Sequence, residues 1–432
     1  MSATPGADPS EKAAPLLSTV AIIASCAAFV VIGALQALYG PAIPALRDEF
    51  GIGPAVAGLS LSAHFAGALL GVLIYHVLRG RLGNRTLLGG SYLLMAAGAA
   101  VFAFSPSWIL ALTGTLVIGL GFGGIDYGLN QLFAVGFGRR STAMLNLLNG
   151  HFGVGAIAGP ALVGRLGAES YPEIFAGAGV VCLLILPTLG GVAAREPEPA
   201  GAEAGRAGGA RVLPVIAAFV GVYVLHVAIE TGVGGWEPTH LEAVGYGAAT
   251  AATATSAYWA AMTIGRFVIV PLSLRWSAPS ILTVCCAGMA GFLLLATVPA
   301  LAPYAYFGVG LMIAPIFPTC LPWLNRAVPT VAAAGAYVIA ASMIGGVAFP
   351  PLLGVVIDTM DVRAAPLVLF VLAAVCAVLG MWLRRNAPDP EAAPGAAVAA
   401  GPVAGPAPGP APGADSRSAA RPDVAPTRGA GG

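Results

Sequence analysis

Charge is what this sequence lacks most. Only 9% of its 432 residues are Asp, Glu, Lys or Arg, where a soluble domain carries about one quarter. A chain so poor in ionic groups cannot cover its own surface in water. Lysine is nearly missing: of 20 basic residues Lys12 alone is a lysine, and the arginines form no dense cluster. The net charge of +1 supplies no long-range field to draw a nucleic acid. There is no GxxxxGK[ST] phosphate loop, so ATP-driven transport has no motor here, and neither a serine-nucleophile elbow nor an HExxH run is present. The sequence therefore reads as a non-enzyme. The cysteines Cys26, Cys182, Cys285, Cys286, Cys320 and Cys376 all fall in apolar stretches without zinc-ligand spacing. No disulfide framework, metal or cofactor is expected.

What takes the place of charge is apolar length. Hydrophobic residues make up 58% of the chain, and a membrane-spanning helix needs about 20 of them in a run. Twelve such segments are read, roughly 17–40, 54–78, 86–105, 108–135, 142–166, 172–193, 212–235, 247–272, 279–299, 303–324, 330–356 and 364–384. The first is too long for a signal peptide. The predicted fold class is an all-α membrane protein of twelve transmembrane helices in two pseudo-symmetric six-helix bundles. A segment 1–15 precedes bundle 16–194, a polar linker 195–211 follows, then bundle 212–385 and a Pro/Ala/Gly-rich tail 386–432 expected to be disordered. Even-numbered loops and the C-terminal end carry twelve arginines against three in and beside the odd loops. The positive-inside rule then places both termini in the cytoplasm of a plasma-membrane protein.

The halves repeat each other. Gly155, Pro160 and Gly164 recur as Gly345, Pro350 and Gly354; Gly119 and Gly121 recur as Gly308 and Gly310. Gly40 matches Gly234, Gly71 matches Gly265, Arg81 matches Arg275, and Gln36 matches Glu230. Parallel repeats of this kind describe a secondary carrier with its site at the midplane between the halves.

Polar residues inside the apolar segments are the site candidates, because such groups face a bundle interior or a water-filled cavity. Asp126 in GLGFGGIDYGLNQ is the proton-coupling candidate, with Asn130 one turn later on the same face; the bland alternative is a polar pair joining helices. On the seventh segment Tyr223, His226, Glu230 and Gly234 form one stripe, with Glu230 close to the predicted outer end of its segment. His226 and Glu230 join the proton-coupling set. Asn146 and Asn149 share a face of the fifth segment and, with Asn130, Gln36 and Trp236, are the substrate-contact candidates. His151 and His64 read as packed or helix-bonded. Arg81, Arg85 and Arg266 are the gating candidates.

Taken together, GxGxxxxDxxxN (Gly119 to Asn130), LNLLxxxFGxGAxxGP (Leu145 to Pro160), ETGVGGW (Glu230 to Trp236), TIGR and APIFPT resemble the major facilitator superfamily. Within it the chain is most similar to the branch of fucose–proton symporters and sodium–glucose-transporter-like proteins. That resemblance implies proton coupling at Asp126 and a substrate contact at Asn149. Two departures stand out. The first segment offers Gln36 where the symporters carry an acid, and HVLRGRLGNR places Gly80 where the family's loop motif has its gating Asp. GVGAIAGPALVG also resembles the fifth-helix signature of drug–proton antiporters. The expected function is proton-coupled symport of a small polar solute, a sugar, by a monomer in the bilayer. Sodium is the alternative coupling ion, an efflux antiporter the alternative carrier, and a non-transporting receptor the alternative class.

Overall fold

A computed structural model of the chain describes residues 16–137, 140–194, 212–273, 275–328, 331 and 334–387. The expected terminal segment 1–15, the linker 195–211 and the tail beyond 387 lie outside the described residues. Thirteen α-helices follow in order: α1 (Thr19–Phe50), α2 (Pro54–Leu78), α3 (Asn84–Ala103), α4 (Trp108–Gly136), α5 (Ser141–Leu166), α6 (Tyr171–Ile185), α7 (Val212–Ala243), α8 (Ala248–Ser273), α9 (Ala278–Leu295), α10 (Ala302–Ile313), α11 (Ile316–Ala327), α12 (Ala334–Met360) and α13 (Ala365–Asn386). Eleven spans among the described residues are long and apolar enough to cross a membrane. In them α10 and α11 count as one, broken by a turn at Ala314–Pro315. The twelfth is α8, whose apolar character is diluted by threonines, Ser256 and Arg266.

Two helices outrun their expected ends. The first runs on to Phe50 rather than stopping near 40, and α7 runs to Ala243 rather than 235. Pro41 and Pro44 lie inside α1 and Pro238 inside α7. A proline in a soluble helix costs about 3 kcal/mol. In a bilayer, unwinding the chain there would strand further N–H and C=O groups away from water, so the helix continues through the proline. Its end comes at Gly51, whose φ of 61° suits glycine and whose N–H returns to the Arg47 carbonyl. Glu230, expected near a segment end, consequently lies well inside α7.

Small residues set the packing. Gly155 of α5 rests on the Val30 carbonyl of α1, and Gly345 of α12 rests on the Val224 carbonyl of α7. Gly71 of α2 rests on the Leu120 carbonyl, and Gly265 of α8 on that of Leu311. A Cβ at any of these would collide with backbone, so only glycine permits the approach. Gly119 meets the His64 carbonyl and Gly310 the Tyr258 carbonyl. Gly119 therefore corresponds to Gly310, not to Gly308 as the spacing suggested; Gly308 instead faces Phe292 of α9.

The halves meet through α1 on α7, α2 on α12 and α5 on α8. Gly40 and Gly234 touch where α1 crosses α7. Gly164 packs on Ala249, and its counterpart Gly354 packs on Ala55, so the exchange is reciprocal. Asp358 near the end of α12 accepts a 2.9 Å hydrogen bond from the Ala55 N–H at the start of α2. The close contacts concentrate from the middle of the bundle to the end that carries Gly51, Gly53 and Gly245. That end is closed.

Candidate functional site

Glycine weakens a helix, yet α4 stays helical through its glycine-rich middle because its neighbours grip it. Gly119 and Gly123 seat it on the backbone of α2, and Gly121 seats it on α3. One turn beyond Gly123 comes Asp126, half-buried. Asn130 donates from Nδ2 to Asp126 Oδ1 at 3.0 Å and to the Asp126 carbonyl at 3.0 Å. Asn149 of α5 donates to Asn130 Oδ1 at 3.0 Å and to the Leu145 carbonyl at 2.9 Å. The structure thus joins three predicted residues in a chain of amides running from α5 to the α4 carboxylate. Asp126 Oδ2 takes no hydrogen bond among the described residues, leaving it free for a proton or a ligand hydroxyl. Asn146 lies on α5, but its side chain is outside the described residues.

The second predicted group forms separately on α7. His226 Nε2 stands 3.4 Å from Glu230 Oε2, one turn along the same helix. Tyr223 donates its hydroxyl to the Phe317 carbonyl at 2.9 Å. Glu230 and Gln36 are both half-buried, each one turn before the glycine at the α1–α7 crossing. They occupy equivalent places on the two helices, and the Gln36 amide makes no hydrogen bond among the described residues.

Other candidates take structural places. Trp236 is buried and donates its indole N–H to the Pro350 carbonyl at 3.3 Å, bracing α7 against α12 rather than lining open space. Arg85 bonds from Nε to the Val192 carbonyl within its own half. Arg81 and Arg266 are exposed, and no gating arginine has a carboxylate within ion-pair distance among the described residues. His151 bonds the Leu147 carbonyl of its own helix at 2.7 Å. His64 is buried, 3.2 Å from the Tyr39 hydroxyl and edged by Phe65 and Phe122.

Sequence reasoning missed Glu237. It directly follows Trp236 and is 1% exposed, with Thr255 of α8 beside it. Ending the seventh segment at 235 hid it; the signal available was an acid in register with the α7 stripe, just before a proline the helix absorbs. Trp259 was missed too: it packs its ring edge on Phe152 across the halves, centroids 6.5 Å apart.

A family model described as the Major Facilitator Superfamily matches residues 25–233 and 215–411. No curated protein matches the chain. Among solved structures it is similar to a bacterial homologue of the human lysosomal transporter Spinster in an inward-facing, unoccupied conformation. Identity is 13% and the TM-score 0.71, over 85% of this chain and 98% of that one. The D-xylose–proton symporter aligns at 12% identity and TM-score 0.66, over 85% and 98%. The transporter FucP in its outward conformation aligns at 18% identity and TM-score 0.58, over 84% and 98%. Likeness at such identities speaks to the fold.

Proposed function

The chain belongs to the Major Facilitator Superfamily and is a multi-pass secondary transporter, and from that premise we propose that it carries a small polar solute, a sugar, by proton-coupled symport. The observation that supports this reading is the Asn149–Asn130–Asp126 chain. Two amides and a carboxylate on adjoining helices offer donors and acceptors suited to sugar hydroxyls, and the carboxylate with its open oxygen is the proton carrier. Glu230 with His226, and Gln36 opposite, supply the polar groups of the other side. The neighbours whose printed names include a D-xylose–proton symporter agree with this substrate class.

The arginine-rich loops belong on the cytoplasmic side of the plasma membrane. The closed end then faces outward, both termini lie in the cytoplasm, and the structure corresponds to the inward-facing state of an alternating-access cycle. The carrier works as a monomer. The antiporter reading draws on the Gly-Pro face of α5, but Gly155 and Gly164 of that face are used to seat α5 on α1 and α8. Packing accounts for those residues without an exporter.

The test is luminal pH in proteoliposomes when a panel of monosaccharides is added outside, wild type beside Asp126→Asn, with sodium present or replaced by choline. Sugar-triggered acidification that disappears in the variant is the expected result. Silence towards every sugar, with extrusion of dyes or drugs under an imposed gradient, overturns it in favour of efflux. Binding of a sugar without movement would make the chain a receptor.

A further inference from the structure

The most deeply buried acid among the described residues is one the proposed mechanism does not use. Glu237 lies on α7, one turn beyond the Gly40–Gly234 crossing, and neither of its carboxylate oxygens has a hydrogen-bond partner among the described residues. Thr255 of α8 is beside it, yet the Thr255 hydroxyl turns to the Ala251 carbonyl at 3.3 Å. One turn back along the same seam the ring of Trp259 packs on Gly234, and its indole N–H is buried and unpartnered as well. An ionised carboxylate in such a place is strongly unfavourable. A protonated one needs no counter-charge and brings its own donor.

Among the described residues no cation comes within ion-pair distance of Glu237. Tyr258 of α8 and Tyr306 of α10 are the titratable groups within electrostatic reach of Glu237. On α7 itself His240 comes nearly one turn later, but its Nδ1 is 3.0 Å from the Tyr306 hydroxyl. Asp361 and Arg363, in the turn before α13, act on His240. Glu230, two turns earlier, is taken up with His226. Among the described residues α1, α2, α12 and α13 bring no charge to Glu237; the equivalent position on α1 is the buried Ile43.

Position along the membrane separates Glu237 from Asp126. Phe50 and Trp108 stack at the closed end, centroids 5.8 Å apart. From Trp108, Asp126 is about 27 Å along its helix, whereas Glu237 is about 9 Å from the α7 terminus at that same end, at ~1.5 Å per residue. We propose that Glu237 is a second proton site, holding a proton while this end is closed and exchanging it with water only from this side, when the halves part. The step is simple proton transfer: water on that side gives a proton to a carboxylate oxygen, forming the O–H bond, and takes it back on release. Its part in transport rests on the proton-coupled reading above; the protonation itself rests on burial.

Infrared difference spectroscopy of the full chain in liposomes, without any sugar, tests it. The carbonyl stretch of a protonated carboxylic acid, shifted in deuterium oxide, is expected at neutral pH in wild type. It should persist in Asp126→Asn, vanish in Glu237→Gln, and move in frequency in Glu237→Asp, which keeps the acid should the glutamine variant fold poorly. A band unchanged in both Glu237 variants overturns the proposal. Silence in the sugar assay leaves the band untouched, so failure of the symport reading is told apart from failure of this one. A Glu237→Gln carrier that still acidifies the lumen with wild-type stoichiometry overturns the role in coupling.

Discussion

In the N-terminal half Gly155 rests on the Val30 carbonyl; in the C-terminal half Gly345 rests on the Val224 carbonyl, and the contacts of Gly71, Gly119 and Gly164 repeat in the same manner at Gly265, Gly310 and Gly354. The polar residues hung on this shared frame do not repeat. Gln36, Tyr39, Ile43 and His64 correspond to Glu230, Val233, Glu237 and Tyr258. Asp126, Asn130 and Asn149 correspond to Phe317, Leu321 and Ile339. Backbone-to-backbone approach tolerates no Cβ, so both halves keep a glycine at these four places. Side chains that point into the bundle face no such limit and diverge. The N-terminal half therefore holds an amide chain ending on one acid, while in the C-terminal half the acids inside the bundle, Glu230 and Glu237, both lie on α7, and Phe317 packs against Tyr223 and His226 where the amide chain would be.

The largest expected effect breaks the frame at the one place where the equivalent glycines meet each other unequally. A Cβ on Gly40 would collide with the Gly234 carbonyl, whereas a Cβ on Gly234 would meet only the side chain of Trp259, at 3.3 Å from a ring carbon, a tight contact that a shift of the ring by a few tenths of an ångström relieves. Gly40→Ala is expected to cost about 3 kcal/mol or more through overpacking against backbone, enough to lose the monodisperse peak in detergent. Gly234→Ala should retain it with a nearly unchanged Tm. Equal behaviour of the two variants would mean that α1 and α7 do not cross there.

Next comes the amide chain, which has no mirror. Asn149→Leu removes the donor to Asn130 Oδ1 and leaves the Asp126 carboxylate held by one amide that is no longer fixed by α5. A lost hydrogen bond of this type is worth about 1.5 kcal/mol, so a roughly tenfold fall in proton-driven uptake is expected, with folding intact. Ile339→Ala, at the equivalent place on α12, should leave coupling unaltered. The pair sharpens the comparison: if both lower uptake alike, the two helices contribute packing and not chemistry.

Which parts were legible follows from the same asymmetry. Helices announce themselves by apolar length, and the repeat by glycines whose spacing backbone contact fixes. Asp126, Asn130 and Asn149 stood out because a polar group in an apolar run has few reasons to be there. The ends of α1 and α7 were not legible, since Pro41, Pro44 and Pro238 read as helix breaks to any rule learned in water. Glu237 was lost with them. The correspondence of Gly119 with Gly310 needed the neighbours, because a glycine at either 308 or 310 satisfies the spacing and only the carbonyl of Tyr258 decides. The place of Trp236 was equally silent: nothing in its neighbours along the chain points to the Pro350 carbonyl that receives its N–H.

The smallest effect belongs to a contact between the halves that one side makes alone. Asp358 on α12 caps the start of α2 through the Ala55 N–H at 2.9 Å, and its Oδ1 lies 3.2 Å from where a Cβ on Gly53 would be. The equivalent position, just past the end of α5, is Ala168, which has no polar side chain to cap α8. A carboxylate at an exposed helix N-terminus is worth about 0.3–1 kcal/mol, and this one acts only while the closed end is shut. Removing it leaves the open state untouched and weakens the closed one by that amount. Asp358→Ala should therefore move the population two- to fivefold toward opening at this end, read as faster thiol labelling of a cysteine placed at Gly53, with the Tm little changed. Asp358→Asn keeps an acceptor and should fall between the two. Labelling equally slow in all three would show that the α2–α12 seam is held by its glycines, and that the two seams between the halves are energetically alike despite the extra carboxylate on one of them.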